Sequence, residues 1–104
     1  MMHIKLWVDD LRYPPEGYIW ITSVNAAKQI ISLAEEAGAV IELIDLDHDA
    51  GHMAGDGGDY IEILDWLEET GAGKNYPIRI HTMNSVGRQN MRAIIQKNGW
   101  MEVQ

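Results

Sequence analysis

Short apolar runs stopped abruptly by charge are the feature that most restricts this chain. Ile4 to Val8 ends at Asp9-Asp10, and Val40 to Leu46 ends at Asp47-His48-Asp49. Pro77 to Thr82 closes on His81-Thr82, with Asn84 and Ser85 just beyond. Runs this short read as buried strands, and the polar residues that stop them as loops at the strand ends. Tyr18 to Ile21 and Trp100 to Val103 complete a set of five. Helical patterns separate the later strands. Ser23 caps the first helix, where Val24, Ala27, Ile30, Ile31 and Ala34 recur to about Ala37 and Gly38 is the stop. Asp59 caps the second, with Glu62 three places on as in a capping box, and Gly71-Ala72-Gly73 ends it. Asn84 or Ser85 opens the third, which runs through about Lys97 to Gly99. Ala50 to Gly58 holds four glycines and reads as a mobile loop.

From the second strand onward, strands alternate with helices, the pattern of a parallel sheet covered on both faces. The expected fold is α/β, a five-stranded parallel sheet in the order 2-1-3-4-5. One join is unusual. The segment Leu11 to Gly17, carrying Pro14-Pro15, is shorter than the dozen or so residues of an ordinary parallel crossover. An extended loop can make that connection, so the first crossover helix is expected to be lost.

The chain has 104 residues, which suits one domain over 1–104, and no repeat or linker divides it. It has no cysteine, which excludes a disulfide framework, a zinc–thiolate site and a thiol nucleophile. No run approaches the roughly 18 to 20 apolar residues of a membrane span. The start, Met1-Met2-His3-Ile4-Lys5, does not read as a signal peptide, so a cytoplasmic location is expected. The net charge of −8 argues against binding long nucleic acid, which needs clustered Lys and Arg. The charge is also divided. Twelve acids and no Lys or Arg lie between Lys28 and Lys74, whereas five basic residues face one acid from Lys74 onward. An acidic centre can gather a divalent cation and a basic final third can meet a small phosphate; both are equally consistent with two solvated faces.

In an open parallel sheet, ligands bind outside the carboxyl ends of the strands, where strand order reverses. In the order 2-1-3-4-5 the first, third and fourth strands are neighbours. Asp9, Asp10, Asp47, Asp49, His48 and His81 then share one crevice. Crowded carboxylates raise one another's pKa, and a divalent cation removes the conflict; hard oxygen donors favour Mg²⁺, Mn²⁺ or Ca²⁺. Each part has a plainer reading. An Asp after a strand often caps its loop, and a lone His81 can be structural. Arg12 can reach a phosphate or pair with a carboxylate. The helix start at Asn84, Ser85 and Gly87 can bind an anion or be an ordinary cap.

Taken together, these residues resemble the receiver-like superfamily, with an acidic pair after the first strand, Asp47 after the third and Thr82 after the fourth. The similarity is greater to a divergent branch, the cyclic-phosphate-processing receiver-like domains. Leu6-Trp7-Val8-Asp9-Asp10-Leu11-Arg12 with Pro14-Pro15 and Gly17, then Leu46-Asp47-His48-Asp49, then Ile80 through Arg88 resemble its three motifs. The resemblance implies a receiver/flavodoxin-like fold in which Asp9, Asp10 and Asp47 hold Mg²⁺ and Asp47 is the reactive carboxylate. It differs from an ordinary receiver in lacking the Lys at the end of the fifth strand; Lys97 lies in the preceding helix. Losing that Lys and gaining His48 and His81 favours hydrolysis over signalling.

The function expected is a metal-dependent phosphoesterase that opens a cyclic phosphate on a nucleotide or an RNA end. Asp9, Asp10, Asp47 and Asp49 are the metal set, with Mg²⁺ or Mn²⁺ as cofactor. His48, His81 and Asp47 are the catalytic set, and Arg12, Thr82, Asn84, Ser85, Gly87 and Arg88 position the phosphate. The alternatives are a phosphoacceptor receiver using Asp47 and a non-catalytic module binding a nucleotide or a protein.

Overall fold

A computed structural model describes all 104 residues. Four strands, β1 (His3–Val8), β2 (Ile19–Ile21), β3 (Val40–Leu46) and β4 (Ile78–Ile80), form one parallel sheet in the order β2-β1-β3-β4. Three α-helices follow the strands: α1 (Val24–Ala37), α2 (Ile61–Thr70) and α3 (Ser85–Asn98). No helix lies between β1 and β2.

The expected fifth strand is reduced to one bridge. Ile78 donates to the Met101 carbonyl and accepts from Val103, pairing Ile78 with Glu102 in parallel. Glu102 is held sideways by a two-pronged contact from Arg92 of α3. A segment anchored through its side chain to a helix satisfies only two backbone groups on a three-residue β4, too few for a ladder.

Strand β1 explains the rest. Leu6 and Val8 are fully buried while Lys5 is exposed and Trp7 half-buried, so its two faces meet different surroundings. Leu6 and Val8 join Ile21, Ile44, Leu46, Ile78 and Ile80 in a core completed by Val24, Ala27 and Ile31 of α1, Ile63, Leu64 and Leu67 of α2, and Met91 and Ile95 of α3. The sheet is therefore not covered by helices on both faces, as the alternation of elements suggested. Handedness gives the reason. From β2 the chain steps over β1 to β3, then to β4, then to the Glu102 bridge, always in one direction. Right-handed crossovers that all step one way put every helix on one face. Only the β1-to-β2 connection steps back, so it alone crosses the other face, and it is an extended strap. Trp7 on that face donates its indole N–H to the Arg12 carbonyl at 2.9 Å and packs edge-on against Tyr18.

The helix boundaries follow local chemistry. The Ser23 hydroxyl accepts from Ala26 N–H and the Asn84 side chain from Gly87 N–H, while Gly38 and Gly99 close α1 and α3 in the left-handed conformation. Asp59 does not cap α2. Tyr60 holds that position, and the Asp59 carboxylate instead accepts from Ala50 N–H at 2.9 Å, clasping the loop at its base. The loop carries local structure: Gly51–Gly55 is a short 3₁₀ turn, and Asp56 is tied to Asn25 through both backbone and side chain. No helix is long and apolar enough to cross a membrane.

Candidate active site

Register brings the site together. Val8, Leu46 and Ile80 stand side by side in the sheet, so the residues that follow them, Asp9, Asp47 and His81, emerge on one rim. The ladder runs on through Asp9 N–H to Ile21, Asp47 N–H to Val8 and His81 N–H to Leu46, which fixes all three backbones. Asp10 joins from the same turn. Oxygens of Asp9, Asp10 and Asp47 all lie within 4.8 Å of one another. Asp9 is buried, while Asp10 and Asp47 are partly exposed.

The three carboxylates are held differently. Asp9 is almost fully buried; one oxygen accepts Leu11 and Arg12 N–H at 2.9 and 3.0 Å, and the other meets His81 Nε2 at 2.9 Å. Burial alone would raise its pKa, but the Arg12 and Leu11 amides and His81 outweigh that and hold it below the ordinary value. Asp47 accepts the amide of His48 at 2.7 Å. The Asp10 carboxylate has no hydrogen-bonding partner and lies against Gly51, where an added Cβ would collide with its oxygen. Gly51 also has φ +57°, so both the backbone and the space favour glycine. Three hard oxygen donors in this arrangement fit a divalent cation of the Mg²⁺ or Mn²⁺ type. The negative field is felt nearby: burial, then the charges of Asp10, Asp9, Asp47 and Asp59, push the Tyr60 phenol far above its usual range, and its hydroxyl donates to the Thr22 carbonyl.

Asp49 belongs elsewhere. It forms a second group with His48 and Asp59, its oxygen 2.9 Å from His48 Nδ1 and its carboxylate receiving the Asn84 amide. His48 Nε2 has no protein partner. Its ring rests on Gly87 in the first turn of α3, where any side chain would strike it.

The two histidines differ in kind. His81 has both nitrogens engaged: Nδ1 is 2.7 Å from Asp45 and Nε2 2.9 Å from Asp9. Ionised carboxylates only accept, so both contacts are satisfied together when both ring nitrogens donate. Trp7 stacks on the ring at 3.9 Å, nearly parallel. Asp45 was not anticipated from sequence, yet it carried a signal: a charge inside an apolar strand needs a partner. Asp59 and Gly51 were likewise missed as parts of the site, since a cap and a loop glycine describe them equally well.

Of the residues expected to meet phosphate, Arg12 is exposed and donates to the His81 carbonyl at 3.1 Å. Ser85 is exposed at the start of α3. Thr82 is buried and accepts from Asn84 N–H, while Arg88 donates to the Ile80 and Thr82 carbonyls, so these two shape the turn between β4 and α3.

A family model described as the cyclic-phosphate processing receiver domain matches residues 4–97. The chain belongs to this family. No curated protein and no solved structure matches it. The matched span runs from β1 to the last turn of α3, and so takes in the whole acidic rim and both histidines. For this receiver-like domain the strap stands where the first crossover helix would be.

Proposed function

We propose that this domain hydrolyses a cyclic phosphodiester, opening it to a phosphomonoester, with a divalent cation held by Asp9, Asp10 and Asp47. The observation that carries this reading is the convergence of those carboxylates, followed directly in sequence by His48, whose Nε2 is free and whose Nδ1 is fixed by Asp49. A bound cation would supply positive charge opposite the phosphate oxygens. His48 accepts a proton from water as its oxygen attacks phosphorus; one P–O ester bond breaks, and the imidazolium returns the proton to the leaving oxygen. Asp49 holds the ring for that task, an arrangement worth about 10²–10⁴-fold in rate for a positioned acid–base group. His81, with no free nitrogen, is a positioning residue: it orients Asp9 from behind, as outer partners orient metal ligands. Arg12 and the start of α3 would meet the phosphate.

The test is turnover of a panel of 2′,3′- and 3′,5′-cyclic nucleotides and cyclic-ended RNA oligomers, with and without Mn²⁺ or Mg²⁺. The parent is expected to give product only with metal, Asp47→Asn to lose both turnover and metal-induced stabilisation, and His48→Ala to lose turnover by about 10²–10⁴-fold while keeping metal binding. Modification of Asp47 by acetyl phosphate without hydrolysis of any cyclic substrate would replace this reading with a phosphoacceptor. Tight binding of a cyclic nucleotide without product would replace it with a binding module.

A further inference from the structure

The strap and the strand it leads into carry an aromatic pair that neither the core nor the acidic rim uses. Tyr13 is 82% exposed and Trp20 38% exposed, and their rings meet edge-on at 5.0 Å. Their placement is rigid. The Trp20 indole N–H donates to the Asp9 carbonyl at 2.8 Å, which ties the ring to the residue whose carboxylate anchors the rim. Tyr13 lies between Arg12 and Pro14. Arg12 is fixed at three points, by Asp9 through its amide, by Trp7 through its carbonyl and by His81 through its guanidinium. Pro14-Pro15 stiffens the other side. Trp7, Asp9 and Trp20 project to the same face, since Trp7 pairs with Trp20 in register and Asp9 follows Trp7 by two.

A single exposed ring is ordinary; what distinguishes this one is that it rests on Trp20, which is tied to the Asp9 backbone, and follows Arg12 directly. A phosphate at the rim would have Arg12 beside it and the Tyr13 face just beyond. We propose that Tyr13, braced by Trp20, is the platform on which the base of a nucleoside cyclic phosphate stacks, which makes the substrate a nucleoside cyclic phosphate, free or at an RNA end, rather than a base-free cyclic phosphodiester. The proposal rests on the hydrolytic reading above and adds its substrate class. Base–aromatic stacking accepts any base and needs only an exposed, pre-placed π face.

The experiment compares adenosine 2′,3′-cyclic phosphate with methyl riboside 2′,3′-cyclic phosphate, which has the same ring and no base, on the parent, Tyr13→Ala and Tyr13→Phe, following turnover and calorimetric binding with Mn²⁺ present. Tyr13→Ala is expected to raise KM for the adenosine compound about tenfold or more with kcat nearly unchanged, to leave the riboside unaffected, and to keep the parent's melting temperature. Tyr13→Phe should behave as the parent. If the parent hydrolyses both compounds with equal KM, or Tyr13→Ala changes neither, the platform is wrong while the hydrolytic reading stands. If the adenosine compound binds in a Tyr13-dependent way without turnover, the platform stands and hydrolysis falls. If the parent neither binds nor turns over either compound, both fall.

Discussion

The two faces of the sheet are made by alternate residues of the same strands, yet they are built on different physics. Toward the helices, Leu6, Val8, Ile44, Leu46, Ile78 and Ile80 meet the apolar stripes of α1, α2 and α3, and burial there is non-directional. Toward the strap, the row Trp20, Trp7, Asp45 and Arg79 is held by directed contacts: Trp20 to the Asp9 carbonyl, Trp7 to the Arg12 carbonyl, and His81 between Asp45 and Asp9, with Arg79 4.0 Å from Asp45. A helix covers a face by area; an extended strap is too thin for that, so each polar group beneath it must find its own partner. The consequence is functional. The face without a helix is where side chains are fixed one by one, and it is the face from which the acidic rim is aimed.

The contrast is broken or sharpened first at His81. His81→Ala leaves Asp45 and Asp9 without their shared partner, and is expected to cost about 3 kcal/mol or more in urea unfolding, because a buried charge that loses its partner is left uncompensated. It should also weaken the rise in melting temperature produced by Mn²⁺. A cost near that of an ordinary surface change would mean the strap face is not held by this clamp. On the other face, Leu64→Ala should cost about 2–5 kcal/mol through its cavity while leaving the Mn²⁺ response intact, since Leu64 lies in the apolar core on α2 and carries no polar contact. Losing both stability and metal response together would show that the two faces are not separable.

Smaller effects follow. Gly51→Ala must adopt φ +57° and crowd Asp10, so about 1–2 kcal/mol of destabilisation is expected, with weaker Mn²⁺ binding by calorimetry. Unchanged metal affinity would remove Asp10 from the ligand set. The smallest effect lies at the α2–α3 seam, where the Asn98 amide and the Lys97 ammonium hold the Glu68 carboxyl below its ordinary value. Its folded pKa is depressed, so its stabilising contribution is present above the unfolded value of 4.5 and is lost as pH falls through the folded one. Glu68→Gln should therefore flatten the acid limb of stability slightly below pH 4.5, less so in high salt. An acid limb identical to the parent's at low salt would remove this pair from the account.

Much of this was legible in sequence because it is set over short distances. Ser23 with Gly38 and Asn84 with Gly99 bound their helices, since a cap needs only residues within one turn. Asp9, Asp10 and Asp47 were legible because an acid after a buried run has to leave the sheet at its end. Asp59 was misread because a capping box and a loop clasp look alike until Ala50 is seen beneath it. The fifth strand was overread because four β-prone residues do not show that their neighbour offers only three, nor that Arg92 takes Glu102 aside.

By itself the sequence determined the three helices and four of the five expected strands, the parallel sense of the sheet and the three acidic or histidine-bearing strand ends, all of which follow from periodicity, capping and the alternation of elements. Only the tertiary structure decided that every helix lies on one face, since that depends on the direction of each step across the sheet. It alone separated the histidines: His81 is closed between Asp45 and Asp9, residues 36 and 72 positions away, while His48 keeps Nε2 free. Which partner a side chain meets across such distances is set by register between strands, and no local pattern records it.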